Sequence, residues 1–195
     1  YASAAALPIA VIILGAALYP PISSYHWTNG FSHFNGLDGL AYLHQGAPDE
    51  AAAITWLNKH ASPSNHLLEA PGCSYGEDGV MPDNLFSMGT GLPVPLGWQF
   101  HEYQWRLGDP TISSEIAQRK ADVATIYNDP TSPQARSLLD KYDVTYIIDG
   151  PIEQNGYGAQ CDGGAPYSAQ GLRQLGQLGW PLVFESGDVK IYQRP

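Results

Sequence analysis

The chain's 195 residues suffice for one well-buried core and are too few for two large domains. Charged residues make up only 14%, against about 25% in soluble domains, while 21 glycines and 16 prolines promise many turns. Nineteen acidic against nine basic residues give a net charge of -10 with no cluster of Lys or Arg, which excludes nucleic acid as a partner and disfavours docking of the folded part onto anionic lipid head groups.

No Asp, Glu, Lys or Arg precedes Asp38. Ala4 to Leu18 (AAALPIAVIILGAAL) is almost continuously apolar, and Tyr19-Pro20-Pro21 is expected to stop the helix. A run of about 18 apolar residues is near the minimum that crosses a hydrocarbon core. Tyr1, Tyr19, Tyr25 and Trp27 flank it as aromatics do at membrane interfaces. A cleavable signal peptide would begin with positive charge, which is missing here. A buried core helix would tolerate Pro8 poorly and would show some polar face. Residues 1–22 are therefore predicted to be one N-terminal transmembrane helix or its outer end. Residues 23–195 are then predicted to fold on the extracytoplasmic side of the cell membrane, and the chain's lack of an initial Met fits a piece of a longer protein. Through that helix the expected partners are membrane lipid and other membrane-protein chains.

Ser23 to Leu37 reads as an irregular crossing segment. Asp49 to His60 (DEAAAITWLNKH) has acids in its first turn and Lys59-His60 at its end, which suits an amphipathic helix with Ile54, Leu57 and Trp56 facing inward. His66 to Ala70 is a short buried strand. Pro71 to Gly97 is rich in Gly and Pro and reads as a long loop. Helical periodicity returns in Ser114–Asn128 and Pro133–Tyr142. Val144 to Asp149 (VTYIID) is the clearest strand, Gly150–Tyr167 a second Gly-rich loop, and Ser168–Leu178 a short helix. Pro181–Ser186 and Val189–Gln193 form a closing hairpin around Gly187-Asp188. This alternation predicts an α/β fold, a small mixed sheet flanked by helices.

Cys73 and Cys161 are the only cysteines, with no C-x-x-C spacing and too few for a structural zinc site without histidine partners. In an oxidising compartment they would form a disulfide; two separate buried thiols are the other reading. Glu77, Asp78 and Asp83 share one loop without the EF-hand pattern and read as a solvated surface. No dinucleotide or Walker fingerprint, no nucleophile elbow and no haem or iron–sulfur ligand pattern is present, so neither metal nor cofactor is expected.

The densest concentration of chemistry runs from Thr90 to Arg106. His101-Glu102 opens a zinc-protease-like helix, but Trp105 occupies the position of the second histidine, so H-E-x-x-H fails. Glu69, Trp98, His101, Glu102, Trp105 and Arg106 form the candidate cleft: Arg106 to grip a phosphate or carboxylate, the tryptophans to stack on a sugar. The competing reading makes His101, Glu102 and Arg106 an internal ion-pair network that pins a loop. A carboxylate pair of Glu69 and Glu102 would serve glycoside hydrolysis if the two stood about 5 Å apart, which no spacing in the sequence fixes.

In chain order, Leu37-Asp38-Gly39-Leu40-Ala41-Tyr42, Ala53-Ile54-Thr55-Trp56-Leu57, Leu68-Glu69-Ala70, Thr90-Gly91-Leu92-Pro93 and the Gly97-Trp98 to Trp105-Arg106 stretch make up one pattern. Asp122-Val123 with Ile126-Tyr127, and Lys141-Tyr142 through Gly150-Pro151-Ile152-Glu153, continue it. Together they resemble the YYY-type polytopic membrane proteins of archaea and Chloroflexi-like bacteria, which look related to lipid-linked-sugar glycosyltransferases. The resemblance implies that this chain corresponds to a C-terminal extracytoplasmic domain with its last membrane helix. It also implies that the catalytic acid lies in an early loop outside this chain, which alone would then not be catalytic, with a lipid-linked sugar as a partner. The alternative is a non-enzymatic accessory subunit of a larger electron-transfer membrane complex, its helix and Gly/Pro-rich loops covered by other chains.

Overall fold

The computed structural model describes residues 2–32, 36, 38–71, 84–155 and 167–195. Cys73 and Cys161, with the acidic loop of Glu77, Asp78 and Asp83, lie outside the described residues. The chain divides into two compact units, Tyr1–Ala41 and Tyr42–Pro195.

The first unit is dominated by one helix, α1 (Ala2–Trp27). It continues through Pro20 and Pro21, where the sequence suggested a stop. A proline ring keeps φ near the helical value but removes one backbone hydrogen bond and crowds the carbonyl four residues back, so Pro20 and Pro21 disfavour the helix without ending it. The helix ends instead where Asn29 (φ 48°) and Gly30 (φ 68°) turn left-handed and the Gly30 N–H reaches the Tyr25 carbonyl at 2.8 Å. The Thr28 hydroxyl bonds the Ser24 carbonyl at 2.7 Å at the same place. The 22 residues Ala6–Trp27 are long and apolar enough to cross a membrane, spanning about 33 Å at 1.5 Å per residue.

The second unit is the mixed α/β domain expected from the alternation of strands and helices. Its four-stranded sheet has the order β1-β2-β4-β3, with β1 (His66–Leu68), β2 (Val144–Asp149), β3 (Leu182–Ser186) and β4 (Val189–Gln193). β1 lies parallel to β2, and β4 is antiparallel to both β2 and β3. The near-continuous burial of β2 follows from its central place, where both faces are covered. On one face, Trp56 of helix α3 (Pro48–His60), which follows the single turn α2 (Leu43–Gly46), meets Tyr146 edge-on at 6.2 Å and Phe184 at 5.9 Å. On the other, Ile147 and its register partner Tyr192 join Val123, Ile126, Leu139 and Leu175. Those side chains come from α6 (Ile112–Asn128), α7 (Pro133–Lys141) and α9 (Ala169–Leu175).

Two segments read as loops carry short helices: α4 (Leu85–Thr90) inside Pro71–Gly97, and α8 (Pro151–Asn155) inside Gly150–Tyr167. Helix α5 (Gln99–Trp105) lies between α4 and α6. Neither α4 nor α8 has the length or periodicity to announce itself, and both are stabilised by carboxylates acting on their backbone, described below.

Tyr127 ties the layers together. Its ring is fully buried and stacks on Tyr167 with centroids 4.5 Å apart. Its hydroxyl lies 2.8 Å from the Ile148 carbonyl and 3.1 Å from that of Leu68, so one hydrogen is shared between adjacent parallel strands. Replacing Tyr127 by Phe should cost about 1–3 kcal/mol, because two buried carbonyls lose their donor. A lowered urea midpoint with unchanged slope would report this loss; an unchanged midpoint would mean the carbonyls are satisfied without the hydroxyl.

Candidate functional site

The parallel pair β1 and β2 delivers acidic residues to the same end of the sheet. Glu69 follows the last residue of β1, Asp149 closes β2, and Glu153 stands in the first turn of α8. All three are buried, Glu153 to 1% exposure. Burial is affordable because the carboxylates accept backbone hydrogen bonds. Glu69 Oε2 takes the Phe86 N–H at 3.0 Å and Oε1 takes that of Ser87 at 2.8 Å, so a side chain just past β1 caps helix α4. Glu153 Oε1 accepts from Ala70 N at 2.7 Å and Oε2 from Gly150 N at 3.0 Å, fastening the chain just beyond β1 to the end of β2.

Desolvation pushes Glu69 up to about 6 despite the opposing N–H bonds. Glu153 rises to about 7, again chiefly from burial, with the neighbouring Glu69 charge adding to it. Burial also raises Asp149, against a 3.0 Å bond from Gln154. These acids hold backbone together.

A groove opens beside Glu69's helix. Gly91, left-handed at φ 73°, ends α4 with its N–H on the Ser87 carbonyl at 2.7 Å and sends residues 92–98 back along the helix. That return is fixed to the sheet edge by Leu67 N–H on the Pro93 carbonyl at 2.9 Å, and to α6 by Arg119 on the Pro95 carbonyl at 2.6 Å. Between α4 and the return lies a cavity of about 300 Å³ whose wall includes Asn84, Ser87, Met88, Leu92, Val94 and Trp98. Asn84 is 3% exposed and itself left-handed, at φ 53°. Its amide nitrogen donates to the Leu96 carbonyl at 3.1 Å and also bonds the Glu69 carboxylate. The Leu96 carbonyl can only accept, so it fixes the nitrogen rather than the oxygen of the amide on its side. Its oxygen is buried without a hydrogen-bond partner among the described residues.

The residues singled out in the sequence distribute around this groove unevenly. Trp98 is in its wall, and the His101 ring lies 5.0 Å from it at 43°. Glu102 extends toward Gly97, where an added Cβ would sit 3.7 Å from its Oε1. Glu69 stands behind α4, its carboxylate coupled to that of Glu153. Trp105 points outward at 84% exposure. Arg106 pairs with Asp109 at 2.6 Å and Glu115 at 3.0 Å, an ion-pair network pinning the turn before α6. In that network Asp109 is held at about 2, first by the Thr111 hydroxyl and N–H and then by Arg106. Among the described residues no group of three or more His, Cys, Asp or Glu is placed to hold a metal ion.

Asn84, Ser87 and Glu153 were not evident in the sequence as site residues. Their partners lie far off in the chain: Glu153 bonds Ala70 across 83 positions, and Ser87 bonds Glu69 across 18. The one local signal is the Gly-Pro-Ile-Glu run after β2, which puts a carboxylate in the first turn of a helix.

The whole is a mixed α/β domain, with a helix-capping acidic interior and an amphipathic groove, that follows an apolar helix. No protein-family model matches the sequence, and no curated protein matches it. Among solved structures the chain is similar to the C-terminal globular domain of an oligosaccharyltransferase from Archaeoglobus fulgidus. The match has 14% identity, covers 74% of this chain and 96% of that one, and has a TM-score of 0.42.

Proposed function

We propose that this chain is the membrane-anchored, extracytoplasmic binding domain of a glycosyltransferase-like membrane protein, and that it does not catalyse transfer by itself. The observation that carries the reading is α1. From Leu7 (74% exposed) through Ile12, Ile13 and Leu14 to Ile22, its large apolar side chains stand uncovered by protein. No charged side chain interrupts them. At about 25 cal/mol per Å² of apolar surface, leaving such a helix in water is costly, and a lipid environment removes that cost. The run of motifs from Leu37 to Glu153 supplies the glycosyltransferase-like part of the reading. The buried acids support a binding role, since Glu69 and Glu153 are committed to backbone N–H groups. The aromatic groove at Trp98 is the binding surface this reading offers to a lipid-linked sugar.

Native membranes test the proposal. The chain should resist alkaline carbonate extraction and be cut by a protease added outside intact spheroplasts. After gentle solubilisation it should travel in, or with, a long multi-helix polypeptide of glycosyltransferase type. Release by carbonate, or stoichiometric passage with subunits of a respiratory or photosynthetic complex, would overturn it.

A further inference from the structure

We infer that the cavity between α9 and the β3–β4 turn is a site for a neutral sugar, whose hydroxyls donate to the buried Asp149 carboxylate and accept from Arg173. The inference rests on the reading of this chain as a binding domain for a lipid-linked sugar. It assigns the contact that reads the hydroxyls to a cavity that shares no residue with the Trp98 groove.

Asp149 closes the central strand and is only 5% exposed, yet one of its two oxygens is spare. Oδ1 accepts from Gln154 Nε2 at 3.0 Å, whereas Oδ2 has no hydrogen-bond partner among the described residues. Buried carboxylates are tolerated where donors meet their lone pairs. Asp149 is part of the cavity wall, so a ligand there can supply the donor that the fold does not. Gln154, on α8, uses both of its N–H groups, on Asp149 and on the Asp188 carbonyl at 2.9 Å, which leaves its side-chain oxygen as a second acceptor. The helix side of the cavity donates instead. Arg173 projects from α9 into the lining, and its guanidinium has neither an ion pair nor a hydrogen bond among the described residues. Lys190 stands opposite Asp149 in the β2–β4 register and opposite Glu185 in the β3–β4 register, with its Nζ 3.9 Å from Glu185 Oε1. Ala169, Leu172 and Tyr192 add apolar surface.

Open acceptors on the sheet side and an open guanidinium on the helix side call for a ligand whose groups both donate and accept. Neighbouring hydroxyls on a sugar ring do both, and the ring's C–H face suits the apolar part of the wall. The volume, about 500 Å³, lies within the range of ligand cavities and admits a mono- or disaccharide. Charged ligands fit less well. Asp149, Glu185 and Asp188 outnumber Arg173 and Lys190 in the lining, which together with the chain's net charge of -10 disfavours an anion. An ammonium on Asp149 would lie beside Lys190, whose positive charge already acts on that carboxylate. A metal ion fits no better, since no group of three or more His, Cys, Asp or Glu among the described residues is placed to hold one.

The test uses the full chain in an amine-oxide detergent, since maltoside or glucoside head groups would compete. Saturation-transfer NMR with methyl α-mannopyranoside and N-acetylglucosamine should show the ring protons of at least one in contact, with millimolar affinity. Asp149→Asn should weaken that binding about tenfold, because Gln154 holds the amide oxygen and the new NH2 group replaces the acceptor facing the ligand. Arg173→Ala should also weaken it about tenfold, while Arg136→Ala, which removes the same charge from α7 outside the lining, stays within about twofold. Should the Asp149 variant misfold, Arg173→Ala still decides, because Arg173 is exposed. Absence of binding to the native chain, undiminished binding in either cavity variant, or tighter binding of inorganic phosphate or ethanolamine would each overturn the site. So would binding that Trp98→Ala abolishes and Arg173→Ala leaves intact, since the sugar would then sit in the other groove. A chain that stays membrane-integrated yet binds neither sugar loses only this inference. A chain released by carbonate that still binds sugar through Asp149 and Arg173 loses only the membrane-anchored reading.

Discussion

Alanine in place of Gly171 should destabilise the domain by roughly 3 kcal/mol or more, although alanine is the better helix former. Helix propensity alone predicts the opposite sign, a gain of about 1 kcal/mol. The reason is backbone proximity. Gly171 lies in the first turn of α9, where its N–H is bonded by the Ser168 hydroxyl at 2.9 Å. A Cβ there would sit 2.6 Å from the Asn128 carbonyl oxygen and closer still to that of Tyr127. These are main-chain atoms at the end of α6, and no rotamer change moves them. Ser168 N–H is also bound to the Asn128 side chain at 2.7 Å, so α9 cannot retreat without losing its anchor. Overpacking a core commonly costs 1–3 kcal/mol; here the clash is with backbone, and Tyr127, which spans β1 and β2, would be displaced with it. Against a typical total of about 5–15 kcal/mol, the loss would show as a large fall in the urea midpoint. Gly176→Ala is the matched control: its Cβ would be 3.8 Å from its nearest neighbour, the Arg173 carbonyl, and the midpoint should barely move. If Gly171→Ala is as stable as the native chain, α9 does not pack on α6 at this distance.

The elements legible in the sequence were those whose pattern is local. The Val144–Asp149 strand is rich in β-branched and aromatic residues and is buried along nearly its whole length because it is covered on both faces. Helix α3 shows its acids, its basic end and its inward Ile54 and Leu57, and the β3–β4 hairpin shows Gly187-Asp188 between two strands. Helices α4 and α8 were illegible for one shared reason. The sequence Leu85-Phe86-Ser87-Met88-Gly89-Thr90 is a poor helix by itself. It forms where Glu69, brought up by β1, satisfies its first N–H groups. The end of α1 was misjudged because two prolines look like a terminator, whereas the left-handed Asn29-Gly30 pair supplies one. At the site, the crowding of Thr90–Arg106 located the Trp98–His101 contact. It left open whether Arg106 faced a ligand or its neighbours, and Asp109 and Glu115 decide for the neighbours. Asn84 carried no signal, since its significance lies in an oxygen left unpaired by contacts across the fold.

The buried carboxylates make a second large prediction, that the domain is more stable near pH 5 than at pH 8. Glu69 at about 6 and Glu153 at about 7 both lie above the ordinary glutamate value of 4.5. Between 4.5 and 7 the folded chain therefore holds protons that the unfolded chain has released. Stability rises with pH only where the unfolded state binds more protons, so here it falls as pH rises. The contribution is fully present below 4.5 and is lost as pH passes the two folded values. A tenfold difference in proton affinity between folded and unfolded chain is worth about 1.4 kcal/mol, so the two acids together supply a few kcal/mol. Other carboxylates work in the opposite direction at lower pH. Asp122 experiences an upward push from burial that is outweighed by Lys141, Tyr142 and Gln118, and it ends below its usual value, as do Asp109 and Glu115. Their stabilisation is lost as pH falls below about 4. Urea titrations of the full chain in detergent from pH 4 to 8 should thus give a maximum near pH 5. Glu153→Gln should lower the acid maximum, because an amide cannot accept both the Ala70 and Gly150 N–H groups as a carboxyl oxygen pair does. It should also flatten the decline above pH 6, since the group that takes up the proton is gone. Loss of the decline in that variant identifies Glu153 as its source, whereas a native profile rising steadily to pH 8 would mean that the backbone N–H bonds already outweigh the burial of both charges.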